Sequence, residues 1–260
     1  MQNELKIVGI QADLVWENST QNIASFEEKI NHLKLDVDLV VLPEMFTSGF
    51  TMNPEKVAEK MDGFVVSWMQ KIAKEKQVAI CGSLVITEND NFYNRLVFVH
   101  PVGKIETYDK RHSFTLAGED KIYTSGNEKL IVTYKGWKIC PLICYDLRFP
   151  VWARNTENYD LLIFMANWPV TRIKAWDMLL KARAIENMNY VIGVNRTGKD
   201  ANNYEYSGNS LVIDYLGEEL ATLENNEVGF VSATLVKSKQ DIIRKKLGFL
   251  NDKDSFIIDF

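Results

Sequence analysis

The sequence is poor in cysteine and histidine and has no long apolar run, and each shortage excludes a class of protein. Its 260 residues include three cysteines and three histidines, and neither set has the spacing of a disulfide scaffold or a structural zinc site. No apolar stretch reaches transmembrane length, and the N-terminus MQNELKIVGIQ lacks the features of a signal peptide. These absences favour a cytoplasmic protein that binds no metal and no membrane.

A large excess of either charge is also missing. The formal net charge is -5, and 46% hydrophobic and 25% charged residues are ordinary values for a globular protein. This mildly acidic balance gives no indication of a nucleic-acid partner or an anionic lipid surface. Because no linker, composition shift or internal repeat divides the chain, we expect one domain over residues 1–260.

Short apolar runs outnumber the segments with helical spacing, which predicts an α/β protein. A polar loop of the kind that often carries function is expected over residues 112–126, and a basic helical turn with an apolar end within residues 237–260. The order of elements predicts one large mixed sheet or two stacked sheets. The predicted strands span residues 6–11, 38–43, 78–87, 91–100, 104–108, 130–134, 137–143, 161–166, 190–195, 211–214 and 230–235, and the predicted helices span residues 21–33, 65–76, 148–154 and 173–187.

The stretch KICPLICYDLRFP, residues 138–150, contains a candidate nucleophile. Its apolar run predicts a buried strand, and Cys144 follows at the expected turn into a helix. Unpaired N–H groups at the start of a helix favour a thiolate and can hold a developing oxyanion. The alternative is that Cys144 is a small buried apolar residue, as most free cysteines are. Cys81 and Cys140 lie inside apolar runs and are predicted to be core residues.

Glu44, Lys110 and Cys144 each follow the end of a predicted strand. Sites in α/β folds form beyond the carboxyl ends of strands, so these groups converge if the strands run parallel. A carboxylate, an ammonium and a thiol together suit acyl transfer, with Glu44 as general base, Cys144 as nucleophile and Lys110 as stabiliser of the oxyanion. Taken singly, Glu44 and Lys110 could be solvated loop residues.

A cysteine–histidine pair is the rival arrangement. Cys144 and His112 could act together as nucleophile and base. We rank this pair lower, because it leaves Glu44 and Lys110 without a role.

Three segments resemble the catalytic motifs of the nitrilase superfamily, the carbon–nitrogen hydrolases with a Glu–Lys–Cys triad. They are LPEMF at residues 42–46, YDKRHSF at 108–114 and ICYDLRFP at 143–150, and NWP at 167–169, ARAIEN at 182–187 and YVIGVNRTG at 190–198 are also typical. The resemblance implies Glu44, Lys110 and Cys144 as the triad and no cofactor. It implies an αββα sandwich that stacks with a second subunit into an αββααββα homodimer.

Within that superfamily the chain most resembles the ω-amidases, which convert 2-oxoglutaramate and 2-oxosuccinamate to the 2-oxo diacid and ammonia. LPEMFTSGF and CYDLRFPVWAR carry this resemblance, together with Trp176 and the run LLKARAIENMNYV. General aliphatic amidases, N-carbamoyl amino-acid hydrolases and nitrilases share the triad and remain alternatives. The intact triad argues against a catalytically inactive binding subunit.

Other residues are expected to support the triad or to contact the small amide substrate. Glu119 falls where the superfamily often carries a second glutamate that orients the lysine, and the backbone N–H of Tyr145 is expected to share the oxyanion with Lys110. The aromatic side chains of Phe46 and Trp168 flank the expected pocket, as does that of Tyr145, although such residues are as often core.

Two cationic side chains are candidates to bind a carboxylate on the substrate. Arg148 could bind it through a bidentate contact, or could pair with Asp146 or Asp160 instead. Lys199 is the second candidate. Arg183 and Glu186, three residues apart on a predicted helix, are expected to pair with each other.

Overall fold

The structure is a computed structural model that describes residues 2–33 and 36–258. Five residues of the expected domain lie outside the described residues: Met1, Lys34, Leu35, and Asp259 and Phe260 of the tail. The described strands are β1 (Glu4–Gln11), β2 (Leu39–Val41), β3 (Ala79–Glu88), β4 (Asn91–Val99), β5 (Ile105–Asp109), β6 (Val132–Tyr134), β7 (Trp137–Ile143), β8 (Leu161–Ala166), β9 (Tyr190–Asn195), β10 (Thr197–Lys199), β11 (Glu205–Ser207), β12 (Leu211–Ile213), β13 (Glu219–Thr222) and β14 (Gly229–Val236). The described α-helices are α1 (Ser19–Asn31), α2 (Pro54–Val57), α3 (Phe64–Lys76), α4 (Ile173–Asn187) and α5 (Lys237–Leu247).

Two six-stranded mixed sheets form the centre of the fold. The first has the order β14-β1-β2-β3-β4-β5 and the second the order β13-β12-β9-β8-β7-β6, while β10 and β11 form a separate ribbon. β1, β2 and β3 are parallel, as are β7, β8 and β9. The strands predicted at residues 78–87 and 91–100 pair as the hairpin of β3 and β4. Asn89 and Asp90 adopt the positive φ angles that a two-residue turn between strands requires.

The two sheets pack face to face, with helices on their outer faces. Along β2, Leu39 and Val41 belong to the core between the sheets, whereas Val40 packs with α1 and α3, because alternate strand side chains face opposite ways. β8 is buried throughout, since the first sheet covers one face of the second sheet and α4 the other. The fold is therefore an αββα sandwich, one of the two sheet arrangements expected.

Gly9 in β1 shows how closely the sheets approach. A Cβ atom built at this position would lie 2.5 Å from a methyl group of Val194 in β9. A larger residue would force the sheets apart, because protein interiors have little free space.

The prediction of a helix at residues 148–154 is wrong. A short 3₁₀ helix, Cys144–Arg148, takes its place, and turns follow it. Pro150 accounts for the difference, because a proline disfavours helical geometry in the residue before it, and Phe149 is accordingly non-helical, with φ -111° and ψ 88°. The predicted basic turn is longer than expected and forms the helix α5. Three short strands were not predicted: β10, β11 and β13. None of the helices described is long and apolar enough to cross a membrane.

Candidate active site

The strand ends bring Glu44, Lys110 and Cys144 together. β5 is antiparallel to β4, β4 to β3, and β3 is parallel to β2, so β2 and β5 end at the same edge of the first sheet. Glu44 and Lys110 follow these two strands, and Cys144 follows β7 in the opposite sheet. Lys110 and Cys144 line a cavity of about 460 Å³, and Glu44 is buried in contact with Lys110.

Lys110 is held between two buried carboxylates. Its ammonium donates to Glu44 Oε1 at 2.9 Å and to both oxygens of Glu119 at 2.9 Å. Glu119 also accepts the backbone N–H of Phe114, which ties the loop after β5 to this cluster. All three charged side chains are almost inaccessible to solvent, so their charges act on one another in a poorly screened environment.

Two asparagines orient Glu44. Asn94 on β4 donates to Glu44 Oε1 at 2.9 Å, and the backbone N–H of Asn167 donates to Oε2 at 2.9 Å. The Asn167 side chain donates to the backbone carbonyl of Glu44 at 2.7 Å, and Ser83 donates to Asn94 Oδ1 at 2.9 Å. No role was predicted for Asn94 or Ser83, and Asn167 was noted only as part of the NWP segment.

The pKa shifts describe the resting state of the cluster. Burial raises the pKa of the Cys144 thiol well above its ordinary value and the charge of Glu44 adds to this, while the Lys110 ammonium acts in the opposite direction. Burial alone would lower the pKa of Lys110, but the carboxylates of Glu119 and Glu44 raise it above its ordinary value. The resting site therefore holds a neutral thiol and a charged ammonium, and Cys144 needs a base when it attacks.

Cys144 stands on a sharp turn that Asp146 stabilises. Cys144 begins the 3₁₀ helix with a φ of 43°, a backbone angle that residues other than glycine rarely adopt. The buried Asp146 carboxylate accepts the backbone N–H of Ile143 at 3.0 Å and the Tyr108 hydroxyl at 2.7 Å. It also accepts the backbone N–H of His112 at 3.0 Å. Asp146 thus joins the turn at Cys144 to the loop that carries Lys110, a role that was not predicted.

Residues 7–242 match the carbon-nitrogen hydrolase family. The chain belongs to this family. It is 42% identical over 252 residues to omega-amidase YafV of Escherichia coli strain K12, covering 97% of this chain and 98% of that protein. It is 34% identical over 248 residues to the 2-oxoglutaramate amidase of Bacillus subtilis, covering 94% and 95%. A CN-hydrolase superfamily protein from Xanthomonas campestris has the same fold, with a TM-score of 0.96 and 38% identity over 99% of this chain and 100% of that one.

The expected family and fold are therefore confirmed. This carbon-nitrogen hydrolase acts on carbon–nitrogen bonds other than peptide bonds. Its fold is the one expected from the resemblance, an α/β sandwich with helices outside two mixed sheets.

In this hydrolase His112 contacts the turn that follows Cys144. Its Nδ1 lies 2.8 Å from Asp146 Oδ1, and its ring stacks on Phe149 with the centroids 3.6 Å apart. His112 does not contribute to the cavity wall, whereas Lys110 and Cys144 do. The geometry therefore supports the Glu–Lys–Cys arrangement over the cysteine–histidine pair.

Arg148 and Arg172 are the arginines on the cavity wall. The two carboxylates considered as partners of Arg148 are bound elsewhere: Asp146 to the turn and the loop, and Asp160 to Lys237 at 2.6 Å. Lys199 is corrected as a candidate, because its exposed side chain lies on β10 outside the cavity lining. Arg172 was missed, since no sequence pattern marks it.

The aromatic candidates fall into two groups. Tyr145 and Trp168 line the cavity. The expectation that Phe46 contacts substrate is corrected, because its ring is fully buried behind the site, 5.4 Å from the Phe26 ring and 6.1 Å from the Trp68 ring. β2 and the turn after it direct Phe46 into the helix-facing core.

Two structural predictions are confirmed. Cys81 and Cys140 are free and fully buried. Arg183 donates to Glu186 at 2.9 Å, and it also donates to the backbone carbonyl of Leu147 at 2.7 Å. α4 therefore braces the 3₁₀ helix that begins at Cys144.

Proposed function

We propose that this protein is an ω-amidase that cleaves the terminal amide of a small 2-oxo acid amide, 2-oxoglutaramate or 2-oxosuccinamate, to the 2-oxo diacid and ammonia. The observation that carries the proposal is the buried ion pair of Glu44 and Lys110 beside Cys144, at a small cavity that Cys144 and Arg148 both line. The names of the similar proteins from Escherichia coli and Bacillus subtilis agree with this activity.

In the first half of the reaction Cys144 forms a thioester. Its thiol loses a proton to Glu44 as the sulfur attacks the amide carbon. The negative charge that develops on the amide oxygen is held by the Lys110 ammonium and the backbone N–H of Tyr145. The intermediate collapses as Glu44 returns its proton to the amide nitrogen, and ammonia leaves.

In the second half water releases the acid. Glu44 takes a proton from a water molecule, which attacks the thioester carbon. The same oxyanion donors act again, and the proton on Glu44 goes to the departing Cys144 sulfur. Glu119 does not exchange protons in this scheme; it holds the lysine in place by accepting hydrogen bonds from its ammonium.

The cavity limits the substrate to a small molecule. A volume of about 460 Å³ lies in the range of small-ligand sites. Arg148 and the indole of Trp168 form part of its wall, so a short chain with a carboxylate at the far end matches it in size and charge. The general aliphatic amidases, N-carbamoyl amino-acid hydrolases and nitrilases share the triad, so the proposal among them rests on the size and charge of this wall.

A substrate panel tests the proposal. Ammonia release is measured from 2-oxoglutaramate, succinamate, glutamine, butyramide, an N-carbamoyl amino acid and a simple nitrile under one set of conditions. We expect the highest kcat/KM with 2-oxoglutaramate, an intermediate value with succinamate and low values with the others. Equal values for 2-oxoglutaramate and butyramide would move the protein to the general aliphatic amidases.

We also propose that residues 1–260 act as one domain, in the cytoplasm, as a homodimer. Three free cysteines suit a reducing compartment.

Met178 and Ile185 on α4 are 69% and 54% exposed, which is unusual for large apolar side chains unless a partner covers them. Light scattering of the wild type should give the mass of a dimer. The double variant Met178→Lys, Ile185→Lys should give the mass of a monomer. A monomeric wild type would contradict the proposed dimer.

A further inference from the structure

Two arginines on the cavity wall are each held above an aromatic ring. The guanidinium carbon of Arg148 lies 5.0 Å from the centre of the Trp168 ring, and that of Arg172 lies 4.9 Å from the centre of the Phe114 ring. The Trp168 indole N–H donates to the backbone carbonyl of Arg172 at 2.8 Å, so the two arginines belong to one connected part of the wall. Each ring restrains a guanidinium without occupying its N–H donors.

Among the residues that the structure describes, no acidic side chain neutralises either guanidinium. Within residues 2–33 and 36–258, Arg148 and Arg172 form no ion pair, although both are half-buried. Asp200, the acidic side chain on the same wall, is already bound: Oδ1 accepts the backbone N–H groups of Asn202 and Tyr204, and Oδ2 accepts the hydroxyl of Tyr206. The positive charge of Lys110 is balanced by its two glutamates. The cavity therefore offers two unpaired, partly desolvated cations.

We propose that Arg148 and Arg172 form a clamp that binds the carboxylate and the adjacent keto oxygen of the substrate, which makes Arg172 a second residue that determines specificity. The proposal rests on the amidase function proposed above. Two planar guanidiniums offer paired donors in fixed directions, and a planar 2-oxo carboxylate offers three oxygens in one plane. A substrate held by this end extends its amide towards Cys144.

The clamp also explains discrimination against amino acids. An α-ammonium in place of the keto group would bring a positive charge towards two guanidiniums and remove one acceptor. A neutral group in place of the carboxylate would leave both cations desolvated without a partner. Glutamine and butyramide should therefore both be poor substrates, for different reasons.

The test compares Arg172→Met and Arg148→Met on a charged and a neutral substrate. Each variant should lose roughly 10-fold to 100-fold in kcat/KM for 2-oxoglutaramate, mostly through KM, because a contact to a remote carboxylate contributes to binding before and during reaction. Turnover of butyramide should not fall, because the methionine leaves one fewer desolvated guanidinium without a partner, and this retained turnover also shows that the variant is folded. Arg172→Lys should fall between wild type and Arg172→Met, since it keeps the charge but loses the paired donors.

Lys199→Met is the matched control, because it removes one positive charge outside the cavity. It should leave the ratio of the two substrates unchanged. An unchanged ratio in Arg172→Met as well would overturn the clamp, as would an equal fall on both substrates.

A binding measurement separates failure of the clamp from failure of the proposed function. Calorimetry of 2-oxoglutaramate on the Cys144→Ala protein measures binding without turnover. Binding that weakens on adding Arg172→Met supports the clamp even if the wild type proves to prefer another amide. Absence of binding to Cys144→Ala, or binding that Arg172→Met leaves unchanged, contradicts the clamp whatever the wild type hydrolyses.

Discussion

The Lys110 ammonium lies 2.9 Å from Glu44 Oε1, and both side chains are almost wholly buried. A buried charge that loses its partner is strongly destabilised, so removal of either side chain leaves the other without compensation. Glu119 completes the arrangement from the other side of the ammonium. The three side chains therefore act as one unit, and removal of one member leaves a charge of another without its partner.

Glu44→Gln and Lys110→Met should each lower kcat by several orders of magnitude. The glutamine cannot accept the thiol proton, and the methionine cannot hold the oxyanion. The double variant should be little worse than either single one, because members of one catalytic unit fail together. Steady-state ammonia release measures the three rates.

His112→Ala is the matched comparison for those variants. It should retain far more activity, since the imidazole contacts Asp146 and Phe149 instead of the thiol. A His112→Ala rate as low as that of Glu44→Gln, in a protein of normal stability, would favour the cysteine–histidine pair.

Asp146→Asn should lower both stability and kcat. An amide can accept only through its oxygen, so at least one donor among Ile143, Tyr108 and His112 loses its partner, at a cost of about 1–3 kcal/mol. The turn at Cys144 should also lose its fixed geometry. Thermal unfolding and kcat are measured beside Tyr108→Phe, which removes one of the hydrogen bonds to Asp146 and also the acceptor of the Arg111 and Trp152 N–H groups. It should cost about 1–3 kcal/mol but leave the bond from Asp146 to the turn in place. Wild-type kcat in Asp146→Asn would show that this network does not position Cys144.

Cys81→Ala should retain activity but change how stability depends on pH. Burial raises the pKa of the Cys81 thiol above its ordinary value of 9.0. The folded chain keeps this proton after the unfolded chain has lost it, so stability is fully present below about pH 9 and falls as the pH rises. Removing the thiol should make the fall in the free energy of unfolding less steep by up to about 1.4 kcal/mol per pH unit.

Urea unfolding at several alkaline pH values measures that slope in wild type and in Cys81→Ala. The small cavity that the alanine leaves lowers the free energy of unfolding at every pH, so it does not change the slope against pH. An unchanged slope would contradict the assigned burial of the thiol, and loss of turnover without unfolding would mean that Cys81 is the functional cysteine.

Part of the site could be predicted because strand ends are visible in a sequence. Glu44 and Cys144 directly follow apolar runs, and the carboxyl ends of strands are where α/β folds place functional groups. Asn94 could not be found this way. It lies inside β4, and its contact with Glu44 depends on the register between β4 and β3, where Asn94 pairs with Val85. A single strand does not encode the register of its neighbours.

Side-chain direction explains the other misses. Phe46 follows Glu44 by two residues, but Met45 has a φ of 42°, and this turn sends the Phe46 ring into the core. Arg172 reaches the cavity because the Trp168 indole anchors its carbonyl just before α4 begins. Such contacts form between elements and leave no periodic trace in the sequence.

The most direct test of the account is ammonia release from 2-oxoglutaramate by wild type and Cys144→Ala, with the intact mass of each protein measured after an acid quench during turnover. We expect the wild type to release ammonia and to carry the mass of the acyl group, and Cys144→Ala to remain folded, release none and carry no added mass. Turnover by Cys144→Ala at a rate near that of the wild type would contradict the covalent mechanism.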